Sequence, residues 1–542
     1  MLRMPLRRHW PFLVALVVLW TMVGALVRAS ILQNDGRLVY ALDDAYISMA
    51  MGRNLAADGC WGVTRHGFTS SSSSLAWPLL LAGAFLVPAA GAYAPLALNL
   101  LAATLVLGFA HLRLRLHLTS PRLAVALLGM ALLTPLPTLI VIGLEHTLHL
   151  LLSLAVAARS AAEIAAGTRP SWGLLILVGL LVTARYEGLF LAAAVGLLFA
   201  LRAGWLAATP VAVAAALPVL AYAVVSTAHG WHAVPNSILL KGAPMPILRT
   251  IVEHGLASVE GVGAAAHLLG YGAYAKLVAA PHVLFLVLAA LVVFLRGPSH
   301  PPAPWTPGRV FAALFVGTAL VHMQFADTDS LFRYDAYLVG LGLYALARVL
   351  PEGPPGRPSA PARGAALTLA FLAACALAGR AADATLKAPR AMRNIYEQQY
   401  QMGLFLREYY PGARVVAHDV GAINYLADLE CLDVVGLASR EVFDLKLQGA
   451  FDTEAIARLS SGFDLAVLYD GHLGRRGGIP AGWVKVGSWT IPDNVICSED
   501  TVSFYATEAS RAGELASRLR LFGARLPADV RQETASPGAA GS

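Results

Sequence analysis

Along the chain, long apolar runs alternate with short polar segments, and the runs have the length of membrane spans. An α-helix rises about 1.5 Å per residue, so roughly 20 apolar residues cross a ~30 Å hydrocarbon layer. Such runs fall at about 11–32, 94–112, 123–141, 147–165, 172–184, 188–202, 206–227, 277–296, 309–325, 335–350 and 364–383. This pattern predicts a polytopic α-helical membrane protein with about eleven transmembrane helices. The stretch 75–90 is also apolar, but Pro78 and Pro88 interrupt it, and we read it as a juxtamembrane or re-entrant element. The Pro- and Gly-rich segments 296–309 and 351–363 read as linkers.

Beyond about residue 384 the pattern becomes that of a soluble domain. Helical spacing over 392–409 is followed by short β-type runs at 414–418, 431–435, 464–469, 483–487 and 502–506. Strands alternating with helical stretches predict a small α/β domain. The expected division is a membrane domain at 1–383 with its first outer loop at 33–93, a soluble domain at 384–525, and a disordered tail at 526–542.

Composition sharpens the membrane reading. Apolar residues make up 57% and charged residues 13% of the 542 residues, against about 25% charged in soluble proteins. Mean hydropathy is +0.63. The net charge of +7 would suggest nucleic acid in a soluble chain. Here the Lys and Arg lie mostly in short loops between apolar runs, so topology accounts for them and no nucleic-acid partner is expected. Treating 75–90 as a non-spanning element puts Arg113, Arg115, Arg122, Arg159, Arg169, Arg202, Arg296, Arg309, Arg348, Arg357 and Arg363 on one side. The positive-inside rule makes that side cytoplasmic. The expectation is an inner-membrane protein with its N-terminus in the cytoplasm and its soluble domain outside. The basic start before the first run reads as a signal anchor. Of four cysteines, Cys431 and Cys497 fall in the soluble domain, where a disulfide and two free thiols are both open.

Several polar clusters then face outward. Asp43 and Asp44 follow the first span; adjacent carboxylates need a cation or a shared proton. One of them as general base on a hydroxyl, and both as a helix N-terminal cap, are the two readings. The run from His66 to Trp77 brackets five serines with Phe68 and Trp77; a linker and a sugar-contacting loop are both open. Glu145 with His146 and His149, Arg185 with Glu187, and Arg333 with Asp335 lie at membrane depth, where ionisable residues are costly and mark function by default. The two Arg–acid pairs could equally be structural. Arg53, Arg185, Lys241 and Arg333 form a set of outer cations suited to an anionic phosphate, which Arg grips with two prongs and Lys as a point charge.

The run Asp43-Asp-Ala-Tyr-Ile-Ser with Arg53-Asn-Leu resembles the first-loop signature of the glycosyltransferase C superfamily. The similarity is to its bacterial branch of terminal arabinofuranosyltransferases and lipopolysaccharide-core RgtA-type enzymes. Gly67-Phe-Thr-Ser with Trp77, Gly143-Leu-Glu, Arg185-Tyr-Glu-Gly, Pro235-Asn-Ser with Lys241, and Arg333-Tyr follow in the order of that branch. The run His418-Asp-Val-Gly-Ala-Ile-Asn-Tyr resembles its post-membrane domain. His66, where an acid is common, and the long serine run depart from the pattern on the acceptor side. The resemblance implies an inverting transfer of sugar from a polyprenyl-phosphate donor to a glycan or glycolipid acceptor in contact with membrane lipid. Asp44, or less readily Asp43, would be the base, and Arg333, Arg185, Lys241 and Arg53 would hold the donor phosphate. Tyr46, His66, Thr69, Ser70, Trp77, Glu145, Glu187, Asn236 and Tyr334 would contact substrate. Some relatives use a divalent metal beside the acidic pair, so Mg, Mn or Ca on Asp43 and Asp44 is an open expectation. The rival readings are a transporter or lipid flippase, and a protein that merely displays its soluble domain. Convergence of Asp43, Asp44, Arg185, Lys241 and Arg333 in one outward cavity would favour the enzyme.

Overall fold

The computed structural model describes residues 3–87, 89–241, 258–266, 270–295, 305–328, 331–349, 360–474 and 478–534. Most of the two expected linkers, and residues 535–542, lie outside the described residues.

Each expected span is helical. Among the described residues, seven helices are long and apolar enough to cross a membrane, and an eighth span results if the bent pair Gly272–Ala279 and Pro281–Val292 counts as one. That pair breaks inside the expected run 277–296 and bends by 106°, at a proline that cannot continue the preceding helix. Three expected spans are short: Trp172–Ala184, Gly188–Ala203 and Ala336–Val349 have 13, 16 and 14 residues. At 1.5 Å per residue these reach about 20–24 Å, short of a full crossing. The described residues of the stretch 75–90 include the ten-residue helix Ala76–Phe85. Exposed side chains such as Val125, Leu206 and Leu217 coat the helices, as lipid contact requires. The chain is an integral membrane protein with a small C-terminal sheet domain.

No loop divides the two domains at 383. One 36-residue helix, Ala360–Ile395, runs out of the membrane region, passes through a buried π-turn at Tyr396–Tyr400 and continues as Gln401–Tyr409. The five expected strands form as β1 (Arg414–Ala417), β2 (Glu430–Asp433), β3 (Leu465–Leu468), β4 (Val484–Thr490) and β5 (Thr501–Ala506). A sixth, β6 (Arg531–Thr534), pairs with β4, so the folded domain runs to Thr534 and the disorder expected from 526 is corrected. The sheet order is β2-β1-β3-β5-β4-β6; β1 is parallel to β2 and β3, and the remaining pairs are antiparallel. Trp489 anchors its core, 4.5 Å from Phe504 and 5.6 Å from Phe522 between ring centres. Cys431 and Cys497 are both free thiols.

The domain docks on one end of the helix bundle. Arg393 donates to the Gln33 carbonyl at the end of the first helix, Arg440 to Gly230, and Asn236 Nδ2 to the Gly436 carbonyl at 2.9 Å. The turns bearing Glu145, Arg185 and Arg333 lie at this same end, by alternation of the helices.

Candidate active site

Asp43 and Asp44 open the helix Asp43–Asp58. The preceding Leu42 is extended and supplies no side-chain cap. Neither carboxylate is occupied in capping that helix: they point to different partners.

Asp44 faces a cavity of about 770 Å³, lined also by Glu145, Arg185, Glu187, Arg333 and Tyr334. Arg333 Nη2 donates to Asp44 Oδ2 at 2.7 Å and to the Tyr334 hydroxyl at 2.9 Å, and the guanidinium lies 4.8 Å from the Tyr334 ring centre. Its Nε and Nη1 are buried and have no hydrogen-bond partner among the described residues. The backbone before it is strained: Leu331 and Phe332 hold φ of 54° and 58°, a left-handed conformation that costs non-Gly residues of the order of 1–3 kcal/mol each. Asp335 is not the partner of Arg333. It accepts from His282 Nε2 at 2.7 Å and Arg380 Nη2 at 3.0 Å.

Arg185 shares the cavity in a different state. Its Nε and Nη2 donate to both oxygens of Glu187, at 3.1 and 2.6 Å, and its Nη1 donates to Glu145. Its fork is filled by two carboxylates, so the expected phosphate grip by Arg185 is corrected to a structural ion network. Glu145 reaches the cavity through a turn at Gly143, where φ is 80° and a Cβ would meet the Tyr40 ring at 2.6 Å. Trp77 Nε1 donates to the Gly143 carbonyl at 3.2 Å; Trp77 is buried and braces this turn rather than touching substrate. Ile47, Leu189, Phe190, Val219 and Ile238 give the cavity an apolar wall, and Ser71, Ser72 and Ser73 add hydroxyls.

Asp43 turns away into the soluble domain. Its two oxygens accept the backbone N–H groups of Gly421 and Ala422, each at 2.8 Å. Burial, then the charges of Asp419 and Asp44, raise Asp43 to about 8 against the pull of those N–H groups. Burial first, and the Asp44 charge, raise Asp419 as well, against hydrogen bonds from Tyr469 and Gln399.

Most other expected contacts are structural. Arg53 donates to the carbonyls of Asn424 and Tyr425, which clamps the soluble domain and leaves it out of the cavity. Buried Tyr46 packs its ring near Tyr40 and Tyr400 and accepts from Tyr40 N–H. Thr69 Oγ1 accepts from Val63 N–H, and Ser70 Oγ meets the Tyr222 hydroxyl at 2.7 Å. His66 is exposed, 3.9 Å from Asp428. Asn236 ties the loop to Gly436, and the Lys241 side chain lies outside the described residues. Of the five residues whose convergence was the criterion, Asp44, Arg185 and Arg333 line one cavity and Asp43 does not. The expected metal finds no fit: among the described residues no three His, Cys, Asp or Glu side chains are arranged to hold one, and both Asp43 oxygens are taken.

Asp419 and Gly421, beside the acidic pair, carried no role in the sequence reading. Both lie in the run His418-Asp-Val-Gly-Ala-Ile-Asn-Tyr, whose partner Asp43 lies 378 residues from Gly421.

A family described as a domain of unknown function (DUF8728) matches residues 393–505. No curated protein matches the chain. Among solved structures, the chain is similar to ArnT from Cupriavidus metallidurans bound to undecaprenyl phosphate, at 12% identity and TM-score 0.48, over 90% of this chain and 98% of that one. Apo ArnT from the same organism gives 13% identity and TM-score 0.48 over the same shares. A mutant arabinofuranosyltransferase AftD from mycobacteria gives 14% and 0.39, over 90% of this chain and 41% of that one.

Proposed function

We propose that the chain is a membrane glycosyltransferase that moves a sugar from a polyprenyl-phosphate donor to a hydroxyl of a cell-envelope glycan or glycolipid, with inversion. One observation supports this above others. In an apolar-walled cavity, the buried Arg333 guanidinium touches Asp44 with one nitrogen and keeps two others without a partner among the described residues. Buried donors without acceptors cost roughly 1–3 kcal/mol each, more when charged, so the arrangement suits an incoming anion.

An amphipathic phosphodiester meets both demands. One of its phosphate oxygens accepts from Arg333 Nε or Nη1 in a charge-assisted hydrogen bond, while its first isoprenoid units cover Ile47, Leu189, Phe190, Val219 and Ile238. Because the same planar group touches Asp44, base and leaving phosphate are held at a set separation. Asp44 takes the proton of the acceptor hydroxyl as that oxygen attacks the anomeric carbon opposite the phosphate. The anomeric C–O bond breaks and its electron pair leaves with the polyprenyl phosphate, whose charge Arg333 balances. Glu145 and Glu187, both bonded to Arg185, retain lone pairs for sugar hydroxyls. The arginine bias of the loops supports an inner-membrane location with the cavity and soluble domain outside.

The test is incubation of purified protein with radiolabelled polyprenyl-phosphate sugars and envelope acceptors. One label should leave its lipid and appear on the acceptor. A label that crosses reconstituted vesicles while still attached to its lipid would make the chain a flippase instead.

A further inference from the structure

We propose that Asp43 is a positioning residue rather than a second catalytic acid: it is the socket into which the Gly421–Ala422 backbone of the soluble domain plugs, and this latch aims Asp44. The proposal rests on the transferase reading above.

The helix Asp43–Asp58 carries two stripes. Asp43, Tyr46 and Arg53, at spacings of three and seven, share one face. That face meets the soluble domain at three heights: Asp43 on Gly421 and Ala422, Tyr46 against the Tyr425 ring at 5.7 Å, and Arg53 on the carbonyls of Asn424 and Tyr425. Asp44, Ile47 and Ser48 form the neighbouring stripe and line the cavity. Docking of the first stripe therefore sets the rotation of the helix about its axis, and with it the direction of Asp44. A misplacement of about 1 Å in such a group can cost about a hundredfold in rate.

The fit at the socket is close. A Cβ on Gly421 would lie 2.1 Å from the Asp43 carbonyl oxygen and 2.6 Å from its carboxylate. Behind the socket, Asp419 accepts from Gln399 Nε2 at 2.8 Å and meets the Tyr469 hydroxyl. Gln398 and Gln399 come from the buried π-turn that ends the last membrane helix; π-turns are frequent at functional sites. Gln398 Nε2 donates to the carbonyls of Glu499 and Asp500 at 3.0 and 3.3 Å. The loop at 418–422 is thus braced from the membrane exit as well as from within the sheet domain.

The test compares Asp43→Asn with Gly421→Ala in the purified full chain. It reads transfer kinetics together with amide hydrogen exchange at residues 418–426. The Asn amide accepts one N–H and sets its own donor against the other; the Ala methyl wedges the socket open without changing any titratable group. Both variants should lose about tenfold to a hundredfold in kcat, keep the donor KM within about twofold, and exchange faster at 418–426. Their double variant should lose no more than the worse single one. Tyr469→Phe, which keeps the ring volume, should loosen the same loop more mildly and serves if the Gly421 variant does not fold. A thousandfold loss in Asp43→Asn beside normal turnover in Gly421→Ala, with exchange unchanged in both, would make Asp43 a chemical participant and overturn the latch. Faster exchange in a protein whose wild type transfers no sugar would sink the transferase reading and leave the latch standing.

Discussion

Asp43 and Asp44 are neighbours in sequence, yet one belongs to the domain interface and the other to the cavity. At the interface, Asp43 has two N–H donors on its two oxygens and Arg53 is spent on carbonyls. In the cavity, Arg333 bonds through one nitrogen and leaves two without a partner among the described residues. Arg185 shows the same contrast within a single cavity, because two carboxylates fill its fork. A buried polar group with all its bonds made holds structure. One held short of its bonds, behind a strained backbone, is set for a ligand. The difference lies in saturation and not in residue type.

The largest effect that can break this comparison is at Asp44. Asp44→Asn keeps the shape and the contact with Arg333 but cannot take a proton. Turnover should fall by about 100- to 10,000-fold, the usual contribution of a general base, with donor binding and thermal unfolding close to wild type. Asn caps helices about as well as Asp, so near-normal transfer would return the acidic pair to a role at the helix start.

The two cavity arginines should respond in opposite ways. Arg333→Lys loses the guanidinium N–H groups on which a phosphate would be held, at roughly 1.5–3 kcal/mol for a bond to a charged group. Donor affinity should therefore drop about tenfold to a hundredfold while the melting temperature holds. Arg185→Met leaves Glu145 and Glu187 buried without their cation, and breaking such a network costs about 3–5 kcal/mol. It should appear as a lower melting temperature and poor yield. Equal effects of the two substitutions on stability and affinity would erase the distinction drawn from their bonding.

Much of this architecture was readable from local pattern. The spans follow from the length of apolar runs, and β1 to β5 from short β-type segments. Glu145, Arg185, Glu187 and Arg333 stand out because charge at membrane depth is costly. The pairings were not readable. Arg333 meets Asp44 across 289 positions, whereas its sequence neighbour Asp335 pairs with His282 and Arg380. Tyr46, Thr69, Ser70 and Trp77 are residue types that bind sugars or brace loops equally well, and only their neighbours decide. β6 escaped because Arg531-Gln-Glu-Thr has no apolar alternation, being a half-exposed edge strand.

The smallest expected effect concerns protons at the interface. Asp43 and Asp419 are both raised, by burial first, and each is raised further by a neighbouring carboxylate. The two titrate as a coupled pair. Tyr469 and Gln399 donate to Asp419, and the N–H groups of Gly421 and Ala422 donate to Asp43, so the titration belongs to the pair and not to either acid alone. A carboxyl raised above its unfolded value of 3.8 contributes stability that is complete below that value and lost as the pH climbs through about 8. The latch should therefore loosen on the alkaline side. Between neutral pH and about one unit above that midpoint, exchange at 418–426 should accelerate and turnover should fall severalfold, reversibly. Asp419→Asn removes one carboxyl of the coupled pair, and its charge beside Asp43, so it should flatten that limb while leaving neutral turnover within a few fold. An alkaline limb of wild-type shape in Asp419→Asn would place the titration outside the pair of Asp43 and Asp419.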